Sequence, residues 1–359
     1  MDPAALIPIP DAIPVAWGWL QFFLLLTFFL HIVLMNAMLG AAFIALVTHL
    51  RGNHASSPYT AAVAGNLPFA VAFTVNFGVA PLLFVQVLYG QFIYVSSILM
   101  AVFWLSIIAL LISAYALAYV YKYQYARLGN GRLPVAGLIT LLLLIVAFLF
   151  ASNLSLMQDP ARWSRYFDRP QGTLLNLADP MLLPRYLHFM VSSVAVGGLA
   201  MALFFDRKHR KGDPSASPWV KQGCRWFAHA TLLNGAVGLW FLVALPKGVL
   251  TVSTTAGLLL TASLAGGVLL AAAAVVFGLA GRVKAATWCA LGAIALMILA
   301  RGLLRAALLA PWFSLSQLPV HASYSSFTLF LFFLAAGLAL IVWMVRFTLR
   351  SCAAREARP

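Results

Sequence analysis

Carboxylates are scarce in this 359-residue chain: eight Asp and Glu stand against 23 Lys and Arg. Charged residues of both signs are 9% of the whole and hydrophobic residues 63%, whereas soluble domains carry about a quarter charged residues. A soluble globule is excluded, and a polytopic transmembrane helical bundle, all-α and forming one domain over 1–359, is expected. The acids, Asp2, Asp11, Asp159, Asp168, Asp179, Asp206, Asp213 and Glu356, all fall in loops, termini or span edges. Proton-coupled transporters and proton-consuming oxygen reductases use intramembrane acids as relays, so both classes are disfavoured. Cysteine is equally sparse. Cys224, Cys289 and Cys352 are far apart and no Cys-x-x-Cys-His occurs, which excludes a disulfide framework and a covalent c-type haem. No Lys or Arg precedes Arg51; the charged start of a secretory signal is missing, and the first span is expected to be retained.

Apolar stretches of about 20 residues, enough to cross the hydrocarbon core, fall at 16–48, 61–88, 97–121, 134–156, 184–205, 226–246, 255–280, 286–310 and 324–346. The formal charge of +15 lies between these nine spans rather than on a soluble surface, so it reads as a topology signal and not as nucleic-acid binding. Arg51, Lys122, Arg127 and Arg132, the cluster from Arg207 to Arg225, Arg282, Lys284 and the C-terminal arginines from Arg346 on share one side. The positive-inside rule then places the N-terminus outside and the C-terminus inside. The longest outer loop, 157–183, alternates charge, aromatics and prolines; it reads either as a cap on its own bundle or as a docking surface for a redox partner.

Two arginines, Arg301 and Arg305, sit inside the eighth span, four apart and hence on one helix face. An unpaired cation at mid-membrane costs about 2.5–3.5 kcal/mol. Either they snorkel outward, which is easier for Arg305, or they clamp an anion such as a haem propionate or a group near a quinone.

The histidines divide by depth. His188 enters the fifth span ahead of Ser192, Ser193, Ala195, Gly197 and Gly198, a small-residue face where a flat ring could lie below the imidazole or where a second helix could pack. His31 lies within span one, with Met35 and Met38 at i+4 and i+7. His321 precedes span nine. His49 and His229 form an inner set, while His54 and His209 fall in solvated loops. A bis-histidine haem needs both ligands at one depth, which permits His188 with His321 and His49 with His229. Ordinary hydrogen-bonded histidines are the other reading of both pairs.

Three fragments carry a family resemblance: Leu20-Gln-Phe…Thr27-x-x-x-His31…Gly40; Asn76-Phe-Gly…Val85-Gln-Val-Leu-Tyr-Gly90; and Arg185-Tyr-Leu-His-Phe-Met-Val-Ser-Ser193. Over roughly 16–230 the chain resembles subunit I of the cytochrome bd quinol oxidases. The resemblance implies haem b with His31 and His188 as iron ligands, a quinone as electron donor or acceptor, and a bacterial plasma (inner) membrane. The departures are specific. Gln86 stands where the family has a glutamate, the segment from Pro246 to Thr255 is too short for a quinol-oxidising loop, and Tyr324-Ser-Ser-Phe-Thr-Leu-Phe330 lacks the family's arginine and axial methionine. His321 is then a candidate sixth ligand to the His188 iron, and Arg301 or Arg305 a replacement near the propionates.

These residues together lead to an expected haem b-containing electron-transfer subunit working between the quinone pool and a partner redox protein, such as a c-type cytochrome on the outer face. The competing readings are a haem-free quinone-binding or assembly anchor, a solute transporter or channel with Arg301 and Arg305 facing a pore, and a terminal quinol oxidase.

Overall fold

The computed structural model describes residues 3–52, 57–168 and 170–356, with side chains described through residue 348. Asp2, His54, Arg169 and Arg358, and the side chains of Arg350, Cys352, Arg355 and Glu356, lie outside the described set. Within it the chain is all-helical, and nine helices are long and apolar enough to cross a membrane. They are α1 (Trp17–Leu50), α2 (Pro58–Leu99), α3 (Ala101–Tyr123), α4 (Arg132–Met157), α5 (Leu182–Arg210), α6 (Ser217–Val243), α7 (Thr255–Leu279), α8 (Val283–Leu309) and α9 (Tyr324–Glu356). This is a multi-pass membrane protein surrounded by lipid. The end of the bundle where the odd-numbered helices begin is called here the N-terminal face.

Local chemistry sets the helix limits. Ser57 caps α2 by accepting from the Thr60 N–H at 3.1 Å, with Pro58 in the first turn. α7 stops at Gly281, whose φ of +72° suits glycine, and the Arg282 N–H closes the end on the Phe277 carbonyl at 2.8 Å. Two boundaries differ from the expected ones. α2 runs on to Leu99, with only Met100 before α3, because nothing between Gln91 and Leu99 breaks a helix; Tyr89, just before Gly90, takes the strain as a kink (φ −136°, ψ 32°). α6 begins at Ser217, since Pro218 is accommodated in its first turn.

The small-residue run of α5 is a packing seam. A Cβ on Gly197 would lie 2.6 Å from Gly40 Cα of α1, and one on Gly198 would lie 2.7 Å from the backbone nitrogen of Phe227 on α6. Gly223 of α6 faces Ala202 in the same way. Backbone meets backbone on both sides, so at Gly197 and Gly198 the small side chains serve close helix approach, one of the two readings of this face.

The loop between α4 and α5 folds back as a cap. Trp163 is buried and donates from Nε1 to the Leu156 carbonyl at 2.8 Å. Asn176 donates to Ser155 Oγ at 2.9 Å, Ser155 Oγ donates to an Asp179 oxygen, and the other Asp179 oxygen accepts from the Met181 N–H. Backbone bonds from Val102 to Gly172 and from Leu174 to Leu99 tie it to the α2–α3 junction. The N-terminal segment is held beside it: Ile13 bonds Pro319, and His321 N–H donates to the Ile13 carbonyl at 3.0 Å. α9 touches the bundle at its first turns, through Phe330 against Phe23 and Phe84.

Candidate functional site

Near the N-terminal face, α1, α5 and α8 bring together histidines and arginines from three separate stretches of sequence, with α2 and α6 packed against them. His31 on α1 donates from Nδ1 to the Thr74 carbonyl of α2 at 3.0 Å. Its ring lies against Gly78, where a Cβ would come within 2.9 Å of Cε1. The carbonyl fixes the tautomer and leaves the Nε2 lone pair available. His188 on α5 lies against α6 in a matching way. A Cβ on Gly238 would sit 3.4 Å from its Nδ1, and this nitrogen is buried without a hydrogen-bond partner. Nε2 makes no hydrogen bond in either histidine.

The arginines are the less expected part. Arg305 of α8 is 1% exposed, so it does not snorkel. Its guanidinium stacks 4.5 Å from the Tyr89 ring centre, and its Nε and Nη1 are buried without a hydrogen-bond partner. Arg301, one turn deeper, lies 4.3 Å from the Phe28 ring centre, and Phe28 in turn neighbours His31 at 6.3 Å between centroids. Arg185 of α5 stacks 5.6 Å from Phe241 and has a buried, unpartnered Nη1. Arg301 and Arg305, four apart, share one face of α8. Asp179 acts on Arg185 but is outside ion-pair distance; the only ion pairs among the described residues are Arg162–Asp159 and Arg210–Asp206. Tyr89 Oη, Gln21 Oε1 and Asn234 Oδ1 are also buried and unpartnered. Gln21 and Tyr89 border a cavity of about 460 Å³ between α1, α2 and α8.

Other candidate residues lie elsewhere. Gln86 is half-buried on α2 and makes no hydrogen bond. His321 is exposed, and its backbone N–H is held by the Ile13 carbonyl. His49 is 1% exposed and its Nε2 shares a 2.7 Å hydrogen bond with the Tyr121 hydroxyl, whereas His229 is exposed in a cleft beside Arg51; these two are not brought together. Met38 is buried in the core, and Met35 packs on that core while His31 faces α2, so the methionine stripe is packing. Among the described residues no three His, Cys, Asp or Glu side chains cluster as a metal site. Arg185, Tyr89, Gln21 and Asn234 joined the site without being singled out in the sequence. The available signals were an arginine one turn before His188 and an asparagine inside an apolar span.

Set against known protein families and against curated proteins, the chain matches none in sequence.

Proposed function

We infer that the chain is a haem b-binding electron-transfer subunit of a membrane complex. The observation that carries this reading is the burial of Arg305, one turn from Arg301, with its Nε and Nη1 lacking any hydrogen-bond partner, together with the buried, unpartnered Nη1 of Arg185; among the described residues none of the three has a carboxylate in ion-pair reach. Three cations in an apolar surround need anionic company. The two propionates of haem b supply it, and a guanidinium fork matches a carboxylate in two parallel hydrogen bonds. The histidines suit the same group. His31 aims Nδ1 at the Thr74 carbonyl and keeps Nε2 free, which is how metal-ligating histidines are oriented, and His188 Nε2 is likewise without a hydrogen bond. His31 and His188 would hold iron through Nε2, and the three arginines would hold the propionates.

When bound, haem supplies a one-electron ferric–ferrous couple. The chain's own residues orient the ligands, exclude water and set the local charge: three arginines against two propionates leave a net positive charge, which favours the reduced, less positive state. Among the residues with described side chains the acids lie in loops or, for Asp206, in the last turns of α5, where it pairs with Arg210 at 2.7 Å, so none is placed to relay protons at mid-membrane. The reading is therefore electron transfer between the quinone pool and a partner redox protein, for instance a c-type cytochrome at the N-terminal face. The N-terminus is taken as outside, in a bacterial plasma membrane.

The test is a reduced-minus-oxidised spectrum with a pyridine haemochrome count on the detergent-purified chain. Haem b is expected in the wild type, with part of it lost in His188→Ala and in His31→Ala and occupancy reduced in an Arg301→Gln/Arg305→Gln variant. A colourless chain from cells supplied with haem and the partner subunits would overturn the assignment.

A further inference from the structure

At the opposite face, away from the histidines and arginines just described, Arg51 at the end of α1 and one side of α6 enclose a cleft of about 680 Å³. Lys221, Gln222, Arg225, Trp226 and His229 line it, and their spacing puts them on one side of the helix. The Arg51 guanidinium lies 5.7 Å from the Trp226 ring centre, which holds that charge against the wall of the cleft. Among the described residues no carboxylate lines it. The acids nearest in sequence are engaged elsewhere: Asp206 pairs with Arg210 at 2.7 Å, and Asp213 accepts from Ser215. Three permanent cations thus share a concave site with no counterion of their own. A topological bias would account for basic residues scattered over loops, but it requires neither concavity nor an aromatic wall.

The same side of α6 turns apolar within the next helical turn. Leu232 and Leu233, at i+3 and i+4 from His229, are 64% and 57% exposed, and Leu50 beside Arg51 is 62% exposed. A ligand in the cleft would meet cations at one end and exposed hydrocarbon at the other. A soluble anion would use the first and leave the leucines bare. We propose that this cleft binds the phosphate headgroup of an anionic phospholipid, with its acyl chains along Leu232 and Leu233. Arg51, Lys221 and Arg225 contact the phosphate, and Trp226 sits at the level where an indole bridges headgroup and chain.

The full-length chain would be purified in detergent and examined by native mass spectrometry after incubation with vesicles of equal parts phosphatidylcholine and phosphatidylglycerol. The expected result is retained phosphatidylglycerol, with affinity about ten-fold or more lower in Lys221→Gln/Arg225→Gln, since each basic residue near an anionic surface contributes appreciably. Arg207→Gln/Lys284→Gln carries the same net charge outside the cleft and is expected to bind as wild type; Lys221→Arg/Arg225→Lys checks that the site is folded and should also retain the lipid. Equal loss in the cleft pair and the control pair would overturn the proposal by reducing the effect to net charge. Displacement of the lipid by inorganic phosphate at comparable concentration would overturn it in favour of a soluble anion. Haem content is read on the same samples and is expected to be unchanged, which separates this outcome from that of the redox reading.

Discussion

Gly40 of α1 and Gly197 of α5 touch through their backbones: a Cβ on Gly40 would lie 2.9 Å from Gly197 Cα, and one on Gly197 would lie 2.8 Å from the Ala41 nitrogen. No flexible side chain stands between them to move aside. Gly197→Ala is therefore expected to force α1 and α5 apart and to destabilise the protein by about 1–3 kcal/mol, the usual cost of overpacking. Gly235→Ala, on α6 where a Cβ meets nothing within 4 Å, should be neutral or slightly stabilising, because alanine is favoured over glycine in a helix by about 1 kcal/mol. Thermal unfolding in one detergent compares the two. Equal melting of Gly197→Ala and wild type would mean the seam is not this tight.

Arg305 should show a change of sign. In the ligand-free chain its Nε and Nη1 are buried without partners, and removing an uncompensated buried charge in favour of a packed apolar side chain is often stabilising by about 1–4 kcal/mol. Arg305→Met is thus expected to melt higher than wild type without haem. With haemin added, the wild type gains the anion it lacks and the variant does not, so the order reverses. Melting curves with and without haemin decide it; a variant less stable in both conditions would indicate that Arg305 is satisfied by the protein alone.

The nine spans were legible because hydrophobic length and the loops' basic residues report them directly. The histidine–arginine constellation was legible only in part. Arg301 and Arg305 announced a buried charge, but the sequence left snorkelling and an anion clamp both open, and the structure buries Arg305 with its guanidinium against the Tyr89 ring. Spacing along α5 could not separate a cofactor seat from a helix seam. That choice depends on which helices lie alongside, and Gly40 and Gly223, some 150 residues away and on the next helix, decide it at Gly197 and Gly198. His49 was legible as a histidine at the end of a span, but its partner Tyr121 lies 72 residues on, beyond any local pattern.

That pair gives a further expectation. Tyr121→Phe removes the hydroxyl from the buried His49 Nε2 and leaves the ring with one partner fewer, while changing volume little. A loss of about 1–3 kcal/mol is expected, the cost of an unmade hydrogen bond at a buried polar atom. Haem content should not change, because His49 lies toward the opposite face from His31 and His188. If Tyr121→Phe bleached part of the spectrum, His49 would return as a ligand candidate.

The cap over the N-terminal face should loosen as pH rises through the acid range. Burial pushes the Asp159 carboxyl up from its ordinary value, and the Arg162 guanidinium, 2.7 Å away, pulls it back without offsetting the whole effect. A carboxyl whose folded value lies above its unfolded one, about 3.9, binds its proton more tightly in the folded loop. Its contribution to stability is then complete below the unfolded value and is lost as pH rises through the raised folded value. The ion pair opposes this loss only weakly, since both partners are partly solvated. Hydrogen exchange over residues 159–166, corrected for intrinsic rates, should therefore show greater protection on the acid side of that window. Asp159→Asn, which keeps a similar shape and carries no titrating proton, should flatten the dependence. Protection that instead increased with pH would mean the pairing with Arg162 outweighs burial, and the sign assigned here would be reversed.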